Sequence, residues 1–255
     1  MRYWQDAILD GNHALICGCS GSGKSNVMHS LICQSLTRGG VVGLVLIDLK
    51  KVELSMYRNL PHVMAYADTI ETAWDALKYV LWTIDTRLDT MQRNGQRKST
   101  DGNIYVFIDE YADLVLTDKR ISEPVQRISQ IGRAANVHLI LATQRPCSEV
   151  IKGAIKVNLE VKLALRCMTA QDSRNILGVK GAELLPRYGK GILQENGYNY
   201  EIDISYCDDN YIRSIVNIWE VQKCQTQKRK HRTSILKTVA HKLTSRSTSK
   251  MTVTS

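Results

Sequence analysis

The most informative segment of the chain is the octapeptide Gly18-Cys19-Ser20-Gly21-Ser22-Gly23-Lys24-Ser25, which fits the pattern G-x-x-x-x-G-K-[S/T] at every fixed position. The apolar run Ala14–Cys17 precedes it and predicts a short buried strand. Apolar residues at helical spacing follow it and predict a helix: Val27, Met28, Leu31, Ile32 and Leu36. A strand, a glycine-rich turn and a helix in this order predict a phosphate-binding loop.

Each residue type in the octapeptide suits the binding of a nucleotide. Its glycines let the backbone turn tightly, so that several N–H groups converge on phosphate oxygens. The N-terminus of the following helix adds positive partial charge. Lys24 is predicted to reach the β- and γ-phosphates, and the Ser25 hydroxyl is predicted to ligate Mg²⁺. A Gly/Ser-rich turn with a chance lysine is the alternative, and the flanking strand and helix disfavour it.

A second predicted strand ends in two carboxylates. The apolar run Ile104–Ile108 leads directly into Asp109 and Glu110. A strand that is apolar throughout is typical of a parallel sheet, in which ligands bind beyond the carboxyl ends of the strands. Asp109 is predicted to hold Mg²⁺ through water, and Glu110 to polarise the attacking water. Two solvated acids that cap the next helix are the alternative interpretation.

Length and composition indicate a soluble protein with one main domain and a small appendage. The chain has 255 residues, of which 44% are hydrophobic and 23% charged. No apolar run reaches the length of a membrane span, and no signal peptide is recognised. Since only about a dozen residues precede Ala14, we expect no N-terminal membrane or regulatory domain. Seven cysteines without a C-x-x-C motif indicate reduced thiols. We therefore expect a cytoplasmic location, with recruitment to a membrane only through a partner.

The net charge of +9 is concentrated at the C-terminus. Residues 223–255 contain nine Lys or Arg and no Asp or Glu, which leaves 25 basic and 25 acidic residues in the first 222 positions. The tail is also rich in Ser and Thr, and it is predicted to be disordered. Contact with the phosphates of a nucleic acid is one role for it, and a solvated basic end or contact with anionic lipid are the alternatives.

Strand and helix patterns alternate along the chain, which predicts a mainly parallel central sheet. Strands are predicted at 13–17, 41–48, 104–108, 138–143 and 159–166, and helices at 24–37, 70–91 and 208–222. The pair Asn196-Gly197 lies between apolar segments at 191–194 and 200–205 and predicts a hairpin. The hairpin is expected to form an antiparallel edge of the sheet.

Several motifs outside the octapeptide resemble those of the FtsK/SpoIIIE family of DNA translocases. The matching segments are Leu46-Ile47-Asp48-Leu49-Lys50-Lys51-Val52-Glu53-Leu54, Val106-Phe107-Ile108-Asp109-Glu110-Tyr111-Ala112-Asp113-Leu114, the run 133–146 from Arg133 to Pro146, and Asp172-Ser173-Arg174-Asn175-Ile176-Leu177. The resemblance extends from about residue 12 to residue 206. It implies a RecA-like P-loop ATPase motor over residues 1–207, followed by a helix over 208–222 and the basic tail over 223–255.

The resemblance also implies roles for residues beyond the phosphate loop. Such motors work as a ring, here expected to be a hexamer, around double-stranded DNA, with ATP bound between subunits. Gln144 would then sense the γ-phosphate, with a polar strand terminus as the alternative. An arginine from the neighbouring subunit would stabilise the transition state. Arg133 is the first candidate for it and Arg174 the second, and either residue can instead form a structural ion pair.

The predicted function is an ATP-dependent double-stranded DNA translocase. The family's membrane region, its extra N-terminal motor subdomain and its sequence-reading winged-helix domain are not recognised in this sequence. We therefore expect a compact motor of a mobile element, plasmid or phage, as in conjugation, with a relaxase or a membrane channel as a partner. Arg93, Arg97 and Lys98 are either DNA contacts or solvated charges. Two alternatives stay open: an ATPase of a protein-secretion system, and a nucleotide-switched, DNA-bound adaptor that couples a relaxase or initiator to a channel.

Overall fold

The computed structural model describes residues 3–220. Its strands are β1 (Ala14–Cys17), β2 (Val41–Ile47), β3 (Val63–Ala67), β4 (Asn103–Ile108), β5 (Val137–Thr143), β6 (Val161–Ala164), β7 (Lys190–Glu195) and β8 (Tyr198–Asp203). These strands form one sheet in the order β3-β2-β4-β5-β1-β6-β7-β8. The first six strands pair in parallel, and β7 pairs antiparallel with both β6 and β8. The predicted mainly parallel sheet with an antiparallel edge hairpin is confirmed.

Helices cover both faces of this sheet. They are α1 (Trp4–Leu9), α2 (Lys24–Arg38), α3 (Ile70–Arg93), α4 (Tyr111–Thr117), α5 (Ser122–Ile131), α6 (Gly153–Lys156), α7 (Ala170–Leu177) and α8 (209–220). Two buried apolar clusters result, one on each face of the sheet. Strands β1 and β5 are buried along their whole length, because side chains from both faces contribute to a core.

Two elements at the margins were not predicted. Strand β3 lies at one edge of the sheet, and four of its five residues are only partly buried or exposed. Its sequence Val-Met-Ala-Tyr-Ala is apolar throughout, but a run of five residues does not by itself distinguish a strand from other buried structure. Helix α1 has six residues, too few for a helical period to be read. Strand β6 covers 161–164, whereas 159–166 was predicted, because Leu159 and Leu165 are buried in the connections that flank it.

Within residues 3–220, none of the helices is long and apolar enough to cross a bilayer. The predicted basic tail over 223–255 lies outside the described residues. Strands β4, β5 and β1 are neighbours in the centre of the sheet and run in parallel, so their carboxyl ends lie side by side. The segments that follow these three strands carry the predicted site residues.

Candidate active site

The phosphate loop is anchored between β1 and the end of β6. The amide of Cys19 donates to the carbonyl of Arg166 over 2.8 Å. A Cβ on Gly18 would lie 2.4 Å from Ser22 Oγ and 2.8 Å from Leu165 Cβ, so only glycine fits there. Gly23 has a φ of 99° and precedes the first residue of α2. Gly18 therefore permits the close packing of the loop, and Gly23 permits the sharp turn into α2.

Lys24 lies inside the loop that it is predicted to serve. Its side chain is almost fully buried, and its Nζ donates to the carbonyls of Gly18 at 2.9 Å and Cys19 at 3.0 Å. Burial lowers the pKa of Lys24, and the carboxylates of Glu110 and Asp109 oppose that shift. The ammonium group is thus held at the centre of the loop, where the phosphates of a nucleotide are predicted to bind.

Asp109 follows β4 and lies among other acids. It is 8% exposed. Burial, with the nearby carboxylates of Asp48 and Glu53, raises the pKa of Asp109 to about 7. A carboxyl group in such surroundings gains from a cation beside it, because the cation offsets both the desolvation and the repulsion between carboxylates.

Glu110 is held by the end of the adjacent strand β5. Its Oε1 accepts a hydrogen bond of 2.7 Å from Thr143 Oγ1 and one of 3.0 Å from the amide of Gln144. Both Glu110 and Thr143 are buried. Thr143 carries no motif of its own in the sequence. The parallel pairing of β4 with β5 is the reason that it meets Glu110, and this pairing cannot be read from a local motif.

Asp48 shapes the neighbouring wall of the site. Its carboxylate accepts hydrogen bonds from the amides of Lys50, Lys51 and Leu54 at 2.9–3.1 Å, which folds the chain after β2 into a compact turn. Lys50 Nζ lies 3.4 Å from a carboxylate oxygen of Asp113 on α4. The motif that begins at Leu46 is therefore a structural turn, which brings Lys50 and Glu53 to the site.

One cavity of about 850 Å³ joins these residues. Of the predicted site residues, those that line it are Ser20, Gly21, Ser22, Gly23, Lys24, Ser25, Asp109, Glu110 and Gln144. Gly18 and Cys19 lie behind the loop and support it. The cavity also extends to residues that sequence analysis missed, among them Tyr188, Ile204 and Tyr206 from the region around β7 and β8.

The two candidate arginines do not line this cavity. Arg133 precedes β5 and forms an ion pair with Glu160, which itself accepts a hydrogen bond from the amide of His13 over 3.3 Å. Strand β5 has seven residues, so about 20 Å separate Arg133 from the end of β5 that meets Glu110. Arg174 is exposed on α7. Neither arginine is therefore part of the site of its own chain.

The basic residues predicted as DNA contacts lie near the amino ends of the parallel strands, whereas the phosphate loop lies at the carboxyl ends. Arg93 ends α3, and its Nε donates to the carbonyl of Asp89. Arg97 and Lys98 follow in the connection to the amino end of β4, and both are exposed. This placement separates them from the nucleotide cavity by the length of the strands.

Comparison with known proteins agrees with these motifs. The sequence model of the FtsK/SpoIIIE family matches residues 3–104 and 96–148. The chain belongs to the FtsK/SpoIIIE family. Among its FtsK relatives, the DNA translocase FtsK of Lactiplantibacillus plantarum is 35% identical over 236 residues, which cover 83% of this chain and 30% of the relative. The FtsK of Streptomyces avermitilis is 36% identical over 214 residues, covering 73% and 24%.

Solved structures support the fold of this FtsK/SpoIIIE member. The pCW3 conjugation coupling protein TcpA, in its monomer form with ATPγS, superimposes with a TM-score of 0.73 at 22% identity, covering 82% of this chain and 65% of TcpA. ATPases 2 and 3 of EssC from Geobacillus thermodenitrificans give a TM-score of 0.73 at 18% identity, covering 84% and 45%. The chain spans less than a third of the length of the two FtsK relatives, so it corresponds to one part of them.

Proposed function

We propose that this chain is an ATPase that moves double-stranded DNA, as part of the transfer or segregation of a mobile element, plasmid or phage. The observation that carries the proposal is the convergence of Lys24, Asp109 and Glu110 on one cavity in a member of the FtsK/SpoIIIE family. A phosphate loop alone is consistent with a passive nucleotide binder. A buried carboxylate that is held at the carboxyl end of the adjacent strand supports hydrolysis.

Ser25 and Asp109 are proposed to hold Mg²⁺. Both present oxygen atoms, which Mg²⁺ prefers, and Asp109 lies in an acidic environment that a cation would stabilise. No group of three His, Cys, Asp or Glu side chains suited to a metal was found among residues 3–220, which agrees with a cation held largely by phosphate oxygens and water. When bound, such a cation would supply positive charge that offsets the negative charge of the phosphates.

Glu110 is proposed as the group that orients the attacking water. Its Oε1 is occupied by Thr143 and by the amide of Gln144, so the carboxylate has a fixed orientation. Gln144 itself lines the cavity, in keeping with a γ-phosphate sensor. Binding of ATP would thus affect the end of β5 through the adjacent residues Thr143 and Gln144.

Arg133 is proposed to act on the nucleotide of a neighbouring subunit. In its own chain it lies about 20 Å from the reacting groups, so a role in catalysis requires a second copy. A ring of subunits around DNA, expected to be a hexamer, would place each Arg133 against the next phosphate loop. Arg174 stays the second candidate, since it is also exposed.

The DNA substrate is proposed from the relatives together with the charge of the chain. The two FtsK relatives are DNA translocases by name, and TcpA is a conjugation coupling protein by name. The nine basic residues of segment 223–255 suit contact with phosphates. We therefore propose double-stranded DNA as the partner in the cytoplasm, with a relaxase or membrane channel as further partners in conjugation.

The steady-state ATPase rate with and without linear double-stranded DNA tests this proposal. Stimulation by long duplexes that weakens with added salt is expected. ATP turnover that ignores DNA and rises with a secretion-signal peptide would instead indicate a protein-secretion ATPase. DNA binding with negligible turnover would indicate a nucleotide-switched adaptor.

A further inference from the structure

The phosphate loop divides the cavity into two ends. One end, lined by Asp109, Glu110 and Gln144, lies toward β4 and β5. The other end lies toward β6, β7 and β8, on the opposite side of β1, and contains Leu165, Tyr188, Ile204 and Tyr206. If the γ-phosphate faces Glu110, the ribose and base of the same nucleotide extend to this second end.

Tyr206 is held beside the phosphate loop by Asn26, the residue that directly follows the loop in sequence. Asn26, in the first turn of α2, donates to the carbonyl of Ser205 at 3.0 Å and accepts from the amide of Cys207 at 2.6 Å. Both neighbours of Tyr206 are thus tied to α2. The ring of Tyr206 lines the cavity although the residue is 76% exposed. A large aromatic side chain that is exposed, although the backbone on both sides of it is hydrogen-bonded to Asn26, indicates a binding surface.

Arg187 and Tyr188 lie beside the tip of the phosphate loop, and Tyr188 lines this second end of the cavity. A Cβ on Gly21 would lie 2.9 Å from Arg187 Nη2, so the guanidinium lies directly on the tip of the phosphate loop. The same guanidinium lies 5.4 Å from the centre of the Tyr188 ring. No described carboxylate forms an ion pair with Arg187. A guanidinium group and an aromatic ring that are both exposed offer flat faces for stacking.

We propose that Tyr188 and Tyr206, with Arg187 packed on the ring of Tyr188, form the subsite for the purine base of the nucleotide. The inference rests on the proposed nucleotide site and extends it by assigning the end that recognises the base. Ile204 and Leu165 supply the apolar floor, with Leu165 buried. Flat aromatic and apolar surfaces suit a purine and offer nothing to inorganic phosphate, because a phosphate has no face to stack.

Calorimetric titration with ATP and, separately, with inorganic tripolyphosphate tests the subsite in a Glu110→Gln background that prevents turnover. Tyr188→Ala and Tyr206→Ala should each weaken ATP binding by about tenfold and leave tripolyphosphate binding unchanged. Tyr198→Ala is the matched control, since Tyr198 is 68% exposed on β8 and does not line the cavity. Tyr206→Phe should bind ATP normally, because stacking does not need the hydroxyl. The parent should also bind ATP more tightly than UTP, and the two alanine variants should lose part of that preference.

Unchanged ATP affinity in both alanine variants, or equal losses for ATP and tripolyphosphate, would overturn the subsite. Circular dichroism and thermal melting of each variant distinguish a local effect from unfolding. Failure of the parent to bind either compound would instead count against the nucleotide site itself. DNA plays no part in the titration, so the subsite and the proposed DNA translocation are tested separately.

Discussion

The hydroxyl of Thr143 donates a 2.7 Å hydrogen bond to Glu110 Oε1, and so joins the end of β5 to the acid that follows β4. Both side chains are buried, so water does not compete for this bond. The next residue, Gln144, donates its amide to the same carboxylate and lines the cavity with its side chain. The proposed water-orienting group and the proposed phosphate sensor are therefore one connected unit.

Replacement of Thr143 by valine tests this unit. The change keeps the shape of the side chain and removes the hydroxyl, so Glu110 loses one of the bonds that orient it. We expect kcat for ATP hydrolysis to fall about tenfold, with little change in KM, because ground-state binding does not use this bond. Thr86→Val, on the exposed face of α3, is the matched control and should have no effect. A Thr143→Val enzyme with normal kcat would contradict the positioning role.

Replacement of Glu110 by glutamine separates binding from hydrolysis. Glutamine keeps the size of the side chain but cannot accept a proton from water, so turnover should fall by about 100-fold or more while ATP still binds. Lys24→Ala should instead weaken the binding of ATP, because the charge at the centre of the loop is lost. Equal loss of ATP affinity in both variants, measured by calorimetry, would show that Glu110 is a binding residue only.

A mixture of two inactive variants tests whether Arg133 acts between subunits. Arg133→Ala leaves an intact phosphate loop, and Lys24→Ala leaves an intact arginine. Where the first variant borders the second in a ring, the site between them should be complete. We expect each variant alone to be inactive and the mixture to regain part of the ATPase rate. A mixture as inactive as its components would contradict Arg133, and the experiment would then be repeated with Arg174→Ala.

Two buried histidines predict a loss of stability in mild acid. Burial lowers the pKa of His13 to about 3 and that of His138 to about 4, with nearby positive charge adding to both shifts. Above the ordinary pKa of about 6.5, both rings are neutral in the folded and the unfolded chain. As the pH falls below that value, only the unfolded chain takes up protons, so each histidine should lower the free energy of unfolding by about 2 kcal/mol at pH 5.

Urea unfolding at pH 7.5 and pH 5 measures this loss. The midpoint should be lower at pH 5, and His138→Gln should show a smaller drop between the two pH values than the parent. Asp109, whose pKa is raised to about 7, changes the stability in the opposite direction over this range, so the comparison with the variant is the decisive one. A drop in His138→Gln as large as that in the parent would contradict the assignment to His138.

The parts of the fold that sequence predicts are those with a strong local signal. Strands β1, β2, β4 and β5 are mostly apolar, and motifs follow β1, β2 and β4 directly, while Asn196-Gly197 marks the hairpin of β7 and β8. Strand β3 is also apolar, but it has only five residues and no motif marks it, so its sequence alone does not distinguish a strand from other buried structure. The order of the strands is not visible in any one segment, since it depends on long-range pairing that only the folded chain reveals.

The same distinction holds for the site. Lys24, Asp109 and Glu110 lie in motifs that carry their own chemistry, and the structure brings them together. Thr143 and Tyr206 have no motif. Their positions depend on the register of β4 with β5 and on the hydrogen bonds of Asn26 to a segment about 180 residues further along the chain. Tertiary placement alone distinguishes them from other threonines and tyrosines.

The activity that we propose is movement along double-stranded DNA, driven by ATP hydrolysis. Displacement of a third strand from one end of a long duplex measures that movement directly, with Lys24→Ala and Glu110→Gln as controls. We expect ATP-dependent displacement by the parent protein, none by either variant, and slower displacement as salt weakens the contact with DNA. A parent protein that hydrolyses ATP and binds the duplex, yet never displaces the third strand, would contradict it.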